Sequence, residues 1–141
     1  NKGVTQATYD AYRIVSKQSK QSVKLISFDE LSEIYRKSYW DKIRADDMHP
    51  AIAYCLFDFA VNSGVSRASK HLQRIVHVND DGKIGAQTLA AIASHDPATV
   101  VKELCKSRLA FMAGLKIFAT FGKGWTRRVG DVLRHSLSMI K

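Results

Sequence analysis

Phe57-Asp58-Phe59-Ala60-Val61-Asn62-Ser63-Gly64 decides the fold. It sets a carboxylate and an amide four residues apart inside an apolar run, and residues at i and i+4 share one face of a helix. The helix opens at His49-Pro50, since proline fits the first helical turn. It continues through Ile52, Ala53, Cys55, Leu56, Phe57, Phe59, Ala60 and Val61, apolar almost all round, which marks a buried central helix. An unpaired carboxylate inside such a helix is costly. Asp58 therefore lines a cleft or belongs to an internal polar network, and Asn62 shares its face.

Outward from that helix the chain reads as all-α, with seven or eight helices. Thr5 caps a helix running to about Lys17, and residues 17–24 form a serine-rich surface loop. Ser27 and Glu30 form a capping box that opens a helix through Leu31, Ile34 and Tyr35 into Tyr39-Trp40. After Gly64 a helix spans about 66–76. Asn79-Asp80-Asp81-Gly82 is a turn, and residues 85–93 form a short helix. Asp96-Pro97 starts a long helix from Ala98 to about Phe118. Gly122-Lys123-Gly124 is expected to break the chain, with Trp125 leading a terminal amphipathic helix through Val129, Val132, Leu133, Leu137 and Ile140.

At 141 residues the chain is large enough for one compact domain elaborated by a smaller subdomain, and it carries a net charge of +9. That surplus favours polyanionic partners such as nucleic acid, anionic membrane or bacterial envelope. Lys and Arg are spread over many helices without a basic recognition helix, which argues against nucleic acid. No apolar run reaches the roughly 20 residues of a membrane-spanning helix. No leader pattern is visible at the start, and Asn1 is not an initiator methionine. Cys55 and Cys105 read as packed thiols. The five histidines, His49, His71, His77, His95 and His135, have no ligand spacing, so no metal is expected, and no cofactor is implied.

Several separated motifs then coincide with one family. Asn1-Lys2-Gly3-Val4-Thr5-Gln6-Ala7-Thr8, Ile34-Tyr35-Arg36, Tyr39-Trp40-Asp41 and the Phe57–Gly64 stretch resemble, in order, segments of glycoside hydrolase family 108. These are bacterial and phage N-acetylmuramidases, including proteins of the secretion-activator type. His71-Leu72-Gln73-Arg74 and Asp81-Gly82-Lys83-Ile84-Gly85-Ala86-Gln87-Thr88 resemble the family's C-terminal peptidoglycan-binding module. Gly122-Lys123-Gly124-Trp125-Thr126-Arg127-Arg128-Val129 resembles its closing signature. The resemblance implies a lysozyme-like helical domain with a helical C-terminal subdomain, divided at 1–65 and 66–141. It implies cleavage between N-acetylmuramic acid and N-acetylglucosamine, peptidoglycan as partner, a monomer, and action on the cell wall from the periplasm or outside, with phage-type release in place of a signal peptide.

The resemblance also places the general-acid glutamate in an E-G-G-Y motif ahead of Asn1, together with the aspartate and threonine that follow it. The expectation is therefore no catalytic residue within these 141, with an upstream segment supplying it. The alternative is a non-catalytic wall-binding or secretion-associated protein on the same fold. Glycoside hydrolysis needs a carboxylic acid that stays protonated, and Glu30, Glu33 and Glu103 read as local structural or solvated carboxylates. The substrate-binding candidates are Tyr39, Trp40, Asp41, Asp58, Asn62 and Trp125. Asp58 keeps two readings, cleft wall or buried structural acid held by an arginine or backbone donors, and the aromatics are either sugar platforms or core anchors.

Overall fold

A computed structural model of the protein describes residues 4–115 and 118–140. Seven α-helices carry it: α1 (Gln6–Val15), α2 (Phe28–Tyr35), α3 (Pro50–Ser63), α4 (Val65–Ile75), α5 (Ala86–Ala93), α6 (Pro97–Ala113) and α7 (Phe118–Ser138). No strand occurs among the described residues. The chain divides into two compact units, one up to Ser38 and one from Tyr39 onward.

In the first unit, Thr5 caps α1 by accepting the Thr8 N–H, and Ser27 with Glu30 closes the capping box of α2. Val4, Tyr9, Leu31 and Ile34 form its apolar centre. The Tyr9 hydroxyl donates to Glu30 at 2.8 Å, and Arg13 pairs with the same carboxylate at 2.9 Å. One side chain thus caps α2 and ties it to α1. A π-helical turn, Arg36–Trp40, follows α2.

In the second unit α3 is the axis. His49 caps it by accepting the Ala51 N–H on Nδ1, Pro50 fills the first turn, and eight of its fourteen residues are buried. Gly64 ends α3 at φ 97°, a conformation that favours glycine, and α4 begins at the next residue. The faces of α4, α6 and α7 that bear Ala68, Leu72, Val100, Val101, Leu104, Val129 and Val132 close around α3 in one continuous core. Asp96 caps α6 by accepting from Thr99, with Pro97 next.

Two boundaries differ from the sequence expectation. α6 stops at Ala113, because Gly114 takes the C-cap position and the Gly114 N–H turns back to Phe111 O. The larger correction concerns Gly122-Lys123-Gly124, which does not break the chain: α7 runs through it from Phe118. Glycine costs a helix interior only about 1 kcal/mol, without the lost donor and ring clash that make proline a true breaker. Trp125 packs against the core, and Phe121 stacks on it one turn earlier, with centroids 6.0 Å apart. Such an aromatic pair returns a comparable amount.

A Cβ placed on Gly124 meets nothing within 4 Å. Gly124→Ala is therefore expected to raise stability by about 1 kcal/mol, read as a shift in the denaturant midpoint at unchanged slope. A loss of stability would show that the helix is interrupted there.

Candidate functional site

The polar face of α3 meets α6 and α7 at Asp58. Arg108 on α6 donates to Asp58 Oδ2 at 2.7 Å, and Arg128 on α7 donates to Oδ1 through Nε at 3.2 Å and also through Nη2. Asp58 and Arg108 are 7% and 1% exposed, whereas the Arg128 side chain is 62% exposed. Arg108 also lies over the Phe59 ring, 5.5 Å from its centroid. The carboxylate is thus a three-helix junction, with a dry arginine beneath and a wet one above.

One turn further along α3, Asn62 reaches solvent beside Trp125. The two residues, with Ser63, Met112 and Leu115, line a small cavity of about 80 Å³. Phe121, one turn earlier on α7 and 52% exposed, stacks on Trp125 outside the cavity lining. Two partly open aromatic rings next to an amide suit a sugar ring, offering an apolar platform and a hydrogen-bonding edge. Sequence reading named Asn62 and Trp125 but missed Phe121. The signal was its i,i+4 spacing from Trp125, hidden by the break assumed at the glycines.

Ser63 also belongs to a second, larger cavity of about 570 Å³ that continues over α4. Arg67, Lys70, His71 and Arg74 line it, and no acidic residue does. Arg67 stands over the Phe111 ring at 4.6 Å, and Arg74 pairs with Asp80 at 2.8 Å. His71 bonds Ser107 through Nδ1 and lies between the Phe59 and Phe111 rings. Burial, then the nearby Arg74 and Arg67 charges, push its pKa below the ordinary histidine value, so it adds no proton of its own near neutral pH. The α4 N-terminus, with Gly64 at the cap and no capping side chain, opens onto the same space.

Tyr39, Trp40 and Asp41 line neither of these cavities. Trp40 packs edge-on against Phe57 at 5.4 Å and its indole N–H donates to Asp46 at 2.9 Å; Tyr39 is half-buried and Asp41 is exposed. In the first unit, burial would push the Glu30 carboxyl up, but bonds from Tyr9, Ser27 and Arg13 outweigh it and hold the pKa below the ordinary range. Lys37 and Tyr12 do the same for Glu33. A general acid needs the opposite shift. Among the described residues, no three His, Cys, Asp or Glu side chains gather as a metal site, and no helix is long and apolar enough to cross a membrane.

The all-helical fold thus carries, at the end of its central helix, a small cavity walled by an amide and an indole beside a larger cationic one. Residues 1–64 match the model of glycosyl hydrolase 108, and residues 67–130 match that of the predicted peptidoglycan domain. The structure of SagA from Brucella abortus is similar over 99% of this chain and 79% of its own, with 42% identity and a TM-score of 0.87. No curated protein matches. The chain belongs to the glycosyl hydrolase 108 family and joins that domain to a peptidoglycan domain, which gives it a peptidoglycan-directed role. The first matched span ends at Gly64, where α3 passes into α4, and the second begins at Arg67 in the first turn of α4.

Proposed function

We propose that this protein holds the glycan strands of peptidoglycan along the Asn62–Trp125 cavity and takes part in their hydrolysis as a muramidase acting on the cell wall. The observation that carries the reading is Trp125, stacked on the exposed Phe121, which lines a cavity with Asn62 and Ser63, while Ser63 also lines the cationic α4 cavity. The platform takes the apolar face of a sugar ring, while Asn62 reads a hydroxyl or N-acetyl group. Arg67 and Lys70 face the carboxylates that peptidoglycan carries on its stem peptides, in keeping with the net charge of +9. Asp58 acts as a brace: it holds Arg128, and through it α7, against α3. Residues 66–141 supply the peptidoglycan-binding module, and a protonated glutamate of the E-G-G-Y type, absent from these residues, supplies the acid.

Co-sedimentation with purified sacculi tests the binding half. The chain is expected to pellet with the wall and to be released by salt, as charge-mediated binding requires. Trp125→Ala is expected to weaken binding by at least about tenfold. Arg67→Ala with Lys70→Ala should weaken it mainly at low salt. Pelleting at full strength by Trp125→Ala, or no pelleting of the parent chain, overturns the reading.

A further inference from the structure

The chain has two cysteines, and the fold brings them face to face. Cys55 sits in the middle of α3 and Cys105 in the middle of α6, with their sulfurs 3.5 Å apart and the residues 1% and 2% exposed. Three residues on, Asp58 meets Arg108 with the same separation of fifty in sequence. The two helices therefore run side by side in the same direction, and these pairs form successive rungs between them. Helices held in register by an ion pair cannot easily carry the sulfurs apart. Closing their contact to a bond requires an approach of about 1.5 Å, within reach of side-chain rotation and a small helix shift.

We propose that Cys55 and Cys105 form a disulfide when the protein meets a disulfide oxidant of the glutathione class. Cys105 is the attacking sulfur. Its contact with Cys55 and the Arg108 guanidinium three residues on pull its pKa down; the same contact and burial push Cys55 up. The Cys105 thiolate attacks one sulfur of the oxidant, giving a mixed disulfide and one released glutathione thiolate. Cys55, its proton lost to that thiolate, then attacks Cys105 Sγ and expels the second glutathione, which takes the Cys105 proton from solvent. Two electrons pass from the cysteines to the oxidant, and two thiols leave. Because both sulfurs are buried, the first step takes place during folding or local opening. The product pins the central helix to α6 one turn from the Asp58 junction. An oxidising compartment would then set the rigidity of this region.

The test incubates the protein with oxidised glutathione in mild urea, removes both, denatures, adds N-ethylmaleimide and weighs the product. The expected species carries no maleimide and lacks two hydrogens, while prior reduction restores two maleimides per chain. The oxidised protein should melt on the order of 10 °C above the reduced one, because the bond closes a long loop. Cys55→Ala should lose that increment and retain glutathione on Cys105. Two maleimides after oxidation, or a parent chain that stays glutathionylated, overturns the proposal. The mass readout uses the parent chain, so poor folding of a variant does not affect it.

Discussion

Replacing Asp58 by asparagine is expected to destabilise the protein by about 3–5 kcal/mol, because it leaves a buried guanidinium without its counter-charge. Arg108 is 1% exposed, and its Nε and Nη2 have no hydrogen-bond partner among the described residues, so Asp58 supplies its compensation. Asparagine keeps the shape and one acceptor but not the charge. The pair itself contributes far less than its breakage costs, since desolvation offsets most of the attraction. Asp58→Leu combined with Arg108→Met is accordingly expected to fall well short of the single substitution, and can approach the parent. Arg128→Ala, at a side chain 62% exposed, should cost no more than about 1 kcal/mol. Equilibrium denaturation of the set separates these cases. If Asp58→Asn keeps full stability yet loses wall binding, Asp58 is a substrate contact and its role as a brace is wrong.

Gln73→Ala is expected to cost about 2–4 kcal/mol, through a buried amide that stitches the turn after α4 onto the helix. Gln73 is 1% exposed. Its Oε1 accepts the Gly82 N–H at 2.9 Å, and its Nε2 donates to Asp81 Oδ1 at 3.0 Å, Lys83 O at 2.9 Å and Thr88 Oγ1 at 3.2 Å. Alanine strands these groups and leaves a void beside α4. Gly82 has φ 81°, and a Cβ there would lie 2.6 Å from Ser66 Oγ, so the turn cannot easily relax into the gap. Gln73→Glu should be worse at neutral pH, because its carboxylate replaces a donor that faces three acceptors. Chemical denaturation measures both, and amide exchange at Gly82 reports the turn directly. Unchanged protection of Gly82 in Gln73→Ala would show that the turn stands without the amide.

These two residues show what the sequence could and could not tell. Several helix starts and the end of α3 were legible because their causes are local: Thr5, Ser27 and Asp96 cap, Pro50 and Pro97 start, and Gly64 stops. The need for a partner at Asp58 was legible as well, since a carboxylate in an apolar helix demands one. The partner's identity was not, because Arg108 and Arg128 lie fifty and seventy residues away in sequence. The motifs at His71–Arg74 and Asp81–Thr88 are recognisable in the sequence, whereas their physical link through Gln73 exists only in the folded chain. The Gly122–Gly124 segment was misread because a weak local penalty was given the weight of a stop. That error also hid Phe121, the ring that turns Trp125 from a single aromatic into a platform.

The proposed function requires that this fold handle peptidoglycan in order to cut it. Its most direct test carries an E-G-G-Y segment of the family ahead of Asn1, incubates the protein with purified sacculi, and analyses the soluble products for new reducing ends. The expected result is release of muropeptides ending in reducing N-acetylmuramic acid, abolished when the glutamate of that segment becomes glutamine. Sacculi that bind the protein and stay intact, with no new reducing ends, would contradict it and leave a wall-binding protein on a hydrolase fold.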